Sequence, residues 1–269
     1  MKSTILQTDI YRTLAIRTSV FGVLAAVALT GCGGTKMLKE PEPLVVTQSL
    51  AAASDQRLAA TIDWVIVRDG PGTWAKNVDW DEYLIGVQNL SDESIQVTNI
   101  TVLDSLGTQI ETGENRKQLV KGTKETKGRY TGEGLTVKAG MGAGTLLAYG
   151  AVAGATSAVI VATSGSVLAG SSGAALGMTG GILLVPILAV GGVMRGMNNS
   201  RVNKQIETRQ TLLPIVLQEE EEKSLVIFFP LAPSPRQVEI TYADSQGDHT
   251  LIIDTRAALE GLHLVPADK

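Results

Sequence analysis

The chain of 269 residues contains a single cysteine, Cys32, and its thiol is the side chain best placed to carry covalent chemistry. The cysteine lies just after an apolar run at 20–29, which is preceded by the basic residues Lys2, Arg12 and Arg17. A basic start, a short apolar run and small residues after it are typical of a secretory signal peptide, and this run is too short to span a membrane. A lone cysteine cannot form a disulfide within one chain. The thiol is therefore available for modification.

The residues Leu29-Thr30-Gly31-Cys32 resemble the lipobox of bacterial lipoproteins. The resemblance implies cleavage before Cys32 and covalent attachment of diacylglycerol and an acyl chain such as palmitate to it, with no other cofactor. Gly33 rather than Asp follows the cysteine, which in such lipoproteins implies sorting to the cell outer membrane. An ordinary cleaved signal peptide with a chance cysteine is the alternative. We expect a signal peptide at 1–31 and a lipidated tether at 32–56.

Few other residues could support catalysis or metal binding. The two histidines, His249 and His263, have no cysteine near them in sequence, so the chain offers no set of zinc ligands. Asp79-Trp80-Asp81-Glu82 brings three carboxylates together, but it lacks the glycine and spacing of a calcium loop, and we expect a solvated strand start. Asp244–Asp248 has the composition of a hairpin turn. We expect no catalytic residue, no metal site and no enzyme activity.

Residues 139–194, here called the glycine-rich segment, contain no Asp, Glu, Lys, Arg or His and hold 13 of the chain's 29 glycines. A membrane-spanning helix needs about 20 apolar residues, so the segment is long enough for two helices. We expect helices at about 135–163 and 167–198, within a hydrophobic α-hairpin at 134–199. Small residues recur at every fourth position and so share a helix face. This spacing predicts close helix packing through Gly150, Gly154, Ala158, Gly165, Gly173, Gly177 and Gly181.

Three other interpretations of the segment stay open, namely a buried helix pair, a loosely structured stretch and peripheral membrane association. Basic residues flank the segment on both sides, and on a lipoprotein both flanks would lie in the periplasm. Basic flanks on that side disfavour the inner membrane, which points to the outer membrane. A hairpin with so little aliphatic bulk needs backbone-close packing for stability, so we expect a homo-oligomer.

Alternating apolar and polar residues predict short strands on both sides of the segment. Before it, the pattern predicts strands from Leu58 to Ile66, Glu82 to Gln88 and Ser94 to Leu103. The apolar phase of the third strand shifts between Val97 and Ile100, which predicts a bulge or an edge.

After the segment, the all-apolar Leu225–Phe229 predicts a central strand covered on both faces, followed by strands at 237–242 and 250–254. Thr255–Gly261 is expected to be a short helix with Thr255 as N-cap. The spacing of strands and turns suggests a mainly β fold, an immunoglobulin-like sandwich whose two parts, at 57–133 and 200–269, flank the inserted hairpin. Two small β units are the alternative.

The net charge of −4 gives no basic field for nucleic acid, and we expect none as a partner. The layout is similar to that of conjugative surface-exclusion lipoproteins, which also combine a lipobox with glycine-rich hydrophobic segments. The sequence favours a non-enzymatic outer-membrane lipoprotein, a self-associating structural component of an envelope assembly for export, conjugation or a surface appendage, with other envelope proteins as further partners. The alternatives are an anchored binding module that uses a loop such as Gly70–Asp81, and a pore-forming membrane protein.

Overall fold

The computed structural model describes residues 35–41, 44, 46, 48–140 and 195–265, which belong to one compact unit, Thr35–Lys269. The predicted lipidation site Cys32, the predicted packing residues from Gly150 to Gly181 and nearly all of the predicted hairpin lie outside the described residues. Predictions about them stay predictions.

The described residues are mainly β, with several antiparallel sheets and a few helices. In chain order the elements are β1 (Lys36–Met37), β2 (Ala51–Ser54), β3 (Leu58–Ile66), β4 (Ala75–Lys76), β5 (Asp81–Asn89), β6 (Ile95–Leu103), β7 (Gln109–Ile110), α1 (Arg116–Gly132), α2 (Arg195–Arg209), β8 (Ile215–Leu217), β9 (Glu222–Phe229), β10 (Gln237–Asp244), β11 (Gly247–Asp254) and α3 (Arg256–Leu259). Among these helices none is long and apolar enough to cross a membrane.

Two sheets hold the main core between them. The four-stranded sheet has the order β2-β3-β5-β9, and the five-stranded sheet has the order β11-β10-β6-β7, with β8 also pairing with β6. Alternate side chains of both sheets meet in one buried cluster that includes Ile62, Tyr83 and Ile85 from the first sheet and Ile100 and Ile240 from the second. Strands from both sides of the glycine-rich segment pair directly, β5 with β9 and β6 with β10, so both parts of the chain build this core.

The other face of the four-stranded sheet is covered by α1, α2 and the loop that contains β4. Leu84 and Phe228 of the sheet pack here against Leu119 of α1 and against Val202 and Ile206 of α2. Since the sheet is covered on both faces, its two inner strands, β3 and β5, show nearly continuous burial rather than the alternation of a half-exposed strand.

Strand positions agree closely with the sequence pattern, whereas the immunoglobulin-like strand order is not confirmed. An immunoglobulin domain places its second and third strands in opposite sheets, but the consecutive long strands β3 and β5 pair in one sheet. The predicted bulge is confirmed, because the pairing shifts from Thr241 with Asn99 to Tyr242 with Val97. The Leu225–Phe229 strand is buried on both faces as predicted, but it is an edge strand of its sheet rather than a central one.

The helices differ more from the sequence pattern. Helix α1 has no counterpart in it, because Thr123 and Thr126 occupy two of the helix's buried positions in place of apolar residues. The prediction that the first helix begins at about Leu135 is wrong, since Val137 forms a β-bridge with Leu264. Helix α2, whose first residues overlap the end of the second predicted helix, ends at Arg209 rather than at about Asn198.

Two smaller regions also depart from expectation. Strands β1 and β2 lie within the stretch predicted to be a tether, where they pair with β4 and β3. The short helix α3 follows Thr255 as predicted, but the Thr255 side chain does not cap it. The Thr255 hydroxyl instead donates a hydrogen bond to the carbonyl of Pro235, at 2.9 Å.

Candidate functional site at the flanks of the glycine-rich segment

The described residues on either side of the glycine-rich segment are both fixed to the beginning of β5. Residues up to Gly140 precede the undescribed part of the segment, and α2 follows it. The first two residues of β5, Asp81 and Glu82, are buried with 0% and 2% of their surface exposed. We treat these acids and their partners as the candidate functional site, because they connect the β-rich domain to the most unusual segment of the chain.

The leading flank is held by backbone pairing with the C-terminal residues. The amide of Lys138 donates to the carbonyl of His263 at 2.9 Å, and the amide of Val265 donates to the carbonyl of Thr136 at 3.1 Å. These bonds surround the bridge between Val137 and Leu264. Residues 136–138 therefore form a short extended contact with 263–265 immediately before the glycine-rich segment begins.

His263 bridges this flank to β5 through both of its ring nitrogens. Its Nδ1 lies 2.9 Å from the carbonyl oxygen of Gly140, and its Nε2 lies 2.8 Å from Oδ2 of Asp81. A carbonyl can only accept, so Nδ1 carries a hydrogen, and the contact with Asp81 needs one further hydrogen, on Nε2 or on the carboxyl group. Both side chains have 0% exposure, so water does not compete for these bonds.

Glycine is needed at position 140. Its φ of +109° lies in the region that side-chain-bearing residues rarely adopt, and an added Cβ would lie 3.2 Å from the carbonyl oxygen of Arg68. The first glycine of the segment is thus fixed in an ordered environment. On the same face of β5, burial and the neighbouring charge of Asp81 raise the pKa of Tyr83 well above its ordinary value, which keeps that hydroxyl neutral.

The trailing flank is held by an ion pair on the other face of the sheet. Arg209, in the last turn of α2, donates from Nε to Oε1 of Glu82 at 3.0 Å and from Nη2 to the same oxygen. Trp74 donates from its indole nitrogen to the other carboxylate oxygen at 2.7 Å, and its ring centroid lies 5.7 Å from the guanidinium carbon of Arg209. Both charged side chains are only 2% exposed.

Burial raises the pKa of Glu82 above its ordinary value, although the Arg209 charge and the hydrogen bonds from Arg209 and Trp74 act in the opposite direction. The desolvation of this carboxylate therefore costs more than its partners return. A buried ion pair of this kind contributes little net stability, but it defines one geometry for α2 on the sheet, since removal of either charge leaves the other without compensation.

The prediction that residues 79–82 form a solvated strand start is wrong. The strand begins inside the protein, because apolar residues cover both faces of the sheet at this point. Each acid has its own cationic or protonatable partner, and Asp79 contacts Lys127 at 3.3 Å. Among the described residues no group of three His, Cys, Asp or Glu side chains could hold a metal ion. The uninterrupted apolar pattern after Glu82 was the available sign of burial.

The loop Gly70–Asp81, considered above as a recognition loop, packs inward. Trp74 and Trp80 are 3% and 2% exposed, and their ring centroids lie 6.4 Å apart. Trp74 supports the Glu82 carboxylate directly. The two tryptophans of the loop therefore form one wall of the candidate functional site.

A shallow groove of about 180 Å³ lies beside the bulge of β6, where that strand is free between its pairings with β7 and β8. Its lining mixes polar and apolar side chains, with Glu114 as the one charged residue among those that form it. The lining contains no histidine, cysteine or lysine that could activate a nucleophile.

Comparisons with known proteins identify no family for this chain. No protein-family model matches the sequence, and no curated protein matches it. A crystal structure that matches is that of YcdA, a candidate lipoprotein from Bacillus subtilis subsp. subtilis str. 168, with 9% sequence identity and a TM-score of 0.30. The match covers 78% of this chain and 40% of that chain, so it spans less than half of the other protein. A TM-score this low does not indicate a common fold.

Proposed function

We propose that this protein is a non-enzymatic, lipid-anchored component of the bacterial outer membrane whose β-rich domain holds a self-associating glycine-rich hairpin. The observation that carries the proposal is the double attachment at the start of β5. Asp81 reaches the leading flank of the segment through His263, and Glu82 reaches the trailing flank through Arg209.

Double attachment favours assembly for an entropic reason. Association costs more when the associating segments must first be ordered relative to the rest of the molecule. Flanks that are already fixed to a sheet buried on both faces reduce that cost. An unstructured surface loop would not need buried polar contacts at both of its ends, since desolvating polar and charged groups is expensive.

The lipid anchor and the hairpin have separate tasks in this proposal. The lipobox resemblance supplies membrane attachment at Cys32, so the hairpin is not required for anchoring. The four-residue spacing of small residues, such as Gly154 with Ala158 and Gly173 with Gly177, allows close approach of helix backbones. Self-association is thus the task that the sequence of the segment fits best. The inward packing of the loop 70–81 removes the main support for an anchored binding module.

The proposed location in the outer membrane is tested by fractionation of the bacterial envelope. The wild-type chain should recover with the outer membrane, and the mass of its mature N-terminal peptide should include the lipid. Cys32→Ser should abolish the lipid mass and leave the precursor unprocessed. Recovery of an unlipidated wild-type chain in the soluble periplasmic fraction would contradict the proposal.

The role of the segment is tested by replacing residues 141–194 with a short Gly-Ser linker, which keeps Gly140 and α2. We expect this variant to stay lipidated and folded but to lose its high-mass assembly. An unchanged assembly would show that the domain, not the segment, associates.

A further inference from the structure

Helix α1 presents a strongly basic face on an acidic protein. It contains six basic residues and one acidic residue, whereas the whole chain has a net charge of −4. Lys117, Lys121 and Lys124 are exposed and lie on the same face of the helix, at spacings of four and three residues. The opposite face is buried against the domain. These three lysines thus form one outward surface, here called the basic face, at whose margin Lys121 lies 3.7 Å from the carboxylate of Glu125.

The basic face lies at the end of the domain where the glycine-rich segment begins. The Thr123 hydroxyl donates to the carbonyl of Asp79 at 2.6 Å and accepts from the amide of Leu231 at 2.9 Å. Near the end of α1, the Tyr130 hydroxyl donates to the carbonyl of Pro233 at 3.2 Å. These contacts place α1 across the beginning of β5, the same end at which His263 holds Gly140.

The opposite end of the domain is acidic. β5 runs for nine residues, which separates its two ends by roughly 26 Å. Strand register places the turns after β2, β5, β8 and β10 together at the far end. These turns and the strand residues next to them contain two basic residues, Arg57 and Lys223, against nine acidic ones, which are Asp55, Asp92, Glu93, Glu219, Glu220, Glu221, Glu222, Asp244 and Asp248.

We propose that the basic face of α1 docks the domain on an anionic phospholipid surface, with the acidic end directed away from the bilayer. The inference rests on the proposed function, since a lipid-anchored chain is held next to such a surface. Each lysine close to an anionic membrane contributes a preference of about fivefold, and the effect falls off within the Debye length. An anionic surface attracts the basic face and repels the acidic end, so both ends select one orientation.

Docking is tested on the full chain in nanodiscs by energy transfer to a dye on the lipid headgroups. A donor dye is placed at Gly128→Cys, which lies on the basic face and where an added Cβ meets nothing within 4 Å. A second protein carries the donor at Gln246→Cys in an acidic-end turn. The discs contain either phosphatidylethanolamine with phosphatidylglycerol, or phosphatidylcholine alone. Chain without an added cysteine reports any labelling at Cys32.

We expect strong transfer from residue 128 and weak transfer from residue 246 in the anionic discs, and loss of this difference in phosphatidylcholine or at high salt. Lys117→Gln, Lys121→Gln and Lys124→Gln combined should reduce the ratio of docked to undocked chains by roughly a hundredfold. The matched control, Glu219→Gln with Glu220→Gln and Glu222→Gln, should leave docking intact.

Equal energy transfer from residue 128 in both lipid compositions would overturn the proposal. It would favour an acidic protein as the partner of the basic face. Insensitivity to the triple lysine change would overturn it as well. Incorporation of the chain into each kind of disc is measured separately from the energy transfer. A chain that fails to incorporate into either disc contradicts the proposed membrane function, whereas an incorporated chain without lipid-dependent transfer contradicts docking alone.

Discussion

Asp81 and Glu82 are consecutive residues of β5 whose carboxylates serve opposite faces of one sheet and opposite flanks of the glycine-rich segment. Neighbouring side chains of a strand alternate between faces. Asp81 lies on the face that packs against the five-stranded sheet and binds His263, while Glu82 lies on the helix-covered face and binds Arg209. The first two residues of β5 thus hold the residues before the glycine-rich segment and the helix that follows it.

The Glu82–Arg209 pair gives a first prediction. Arg209→Met leaves the Glu82 carboxylate buried without its cation, so we expect a loss of about 3 kcal/mol in the free energy of unfolding at neutral pH. Adding Glu82→Gln should restore about half or more of that loss, because the uncompensated charge is gone. Glu82→Gln alone should cost less than Arg209→Met. Urea unfolding of all four proteins measures the cycle, and strictly additive effects would show that the two residues do not interact.

The same carboxyl group predicts a pH dependence. Burial raises the pKa of Glu82 in the folded chain above its ordinary 4.5. Between the unfolded and folded pKa values the folded state binds more protons, so this group lowers the unfolding free energy as pH rises through that interval. Glu82→Gln removes the contribution. The difference in unfolding free energy, wild type minus Glu82→Gln, should therefore fall from acidic towards neutral pH, and a rise would contradict the stated balance of burial and pairing.

The His263 bridge predicts local release of the leading flank. His263 has a φ of +62°, which asparagine tolerates, but the shorter asparagine side chain cannot reach both Asp81 and Gly140. His263→Asn should speed tryptic cleavage after the exposed Lys138 by about tenfold, since a buried polar group left without its partner costs about 1–3 kcal/mol and so favours local opening. His249→Asn is the matched control at a partly exposed histidine. Equal cleavage rates in the two variants would rule out the bridge.

The packing of α1 against the domain predicts opposite effects on stability at two glycines of this helix. An added Cβ at Gly122 would lie 2.5 Å from Cγ of Pro230, whereas Gly128 has nothing within 4 Å. Gly122→Ala should therefore cost about 1–3 kcal/mol through overpacking. Gly128→Ala should stabilise the helix by up to about 1 kcal/mol. Chemical denaturation of the two variants checks this, and equal effects would mean that α1 does not pack on the 230–233 loop.

Local patterns predicted the strands because pairing and burial leave a period of two in the sequence. The phase shift between Val97 and Ile100 even located the bulge at Thr98, whose hydroxyl donates to the carbonyl of Thr241. Sheet order was not predictable in the same way. Whether Leu225–Phe229 lies at an edge of its sheet depends on pairing between residues far apart in sequence. Residues near Gly113 and Thr211 cover this edge, so the strand's own sequence does not show that it is one.

The candidate functional site was not predicted, because its sequence resembles that of a polar strand start. Asp81 and Glu82 become buried only through partners that lie more than 100 residues away, His263 and Arg209. Helix α1 was missed because threonines occupy buried positions, and the hydroxyl of Thr123 gains its partners from Asp79 and Leu231 only in the folded domain. Pairings of this kind are properties of the tertiary structure.

The native mass of the membrane-extracted protein in mild detergent tests the central claim most directly. The account predicts a discrete species of high mass for the wild-type chain and its loss in Gly154→Leu and Gly177→Leu, which fill the small-residue faces. Ala155→Leu and Ala175→Leu add nearly as much bulk on other faces of the predicted helices and should leave the assembly intact. A monomeric wild-type protein, or an assembly that all four substitutions leave unchanged, would contradict the account.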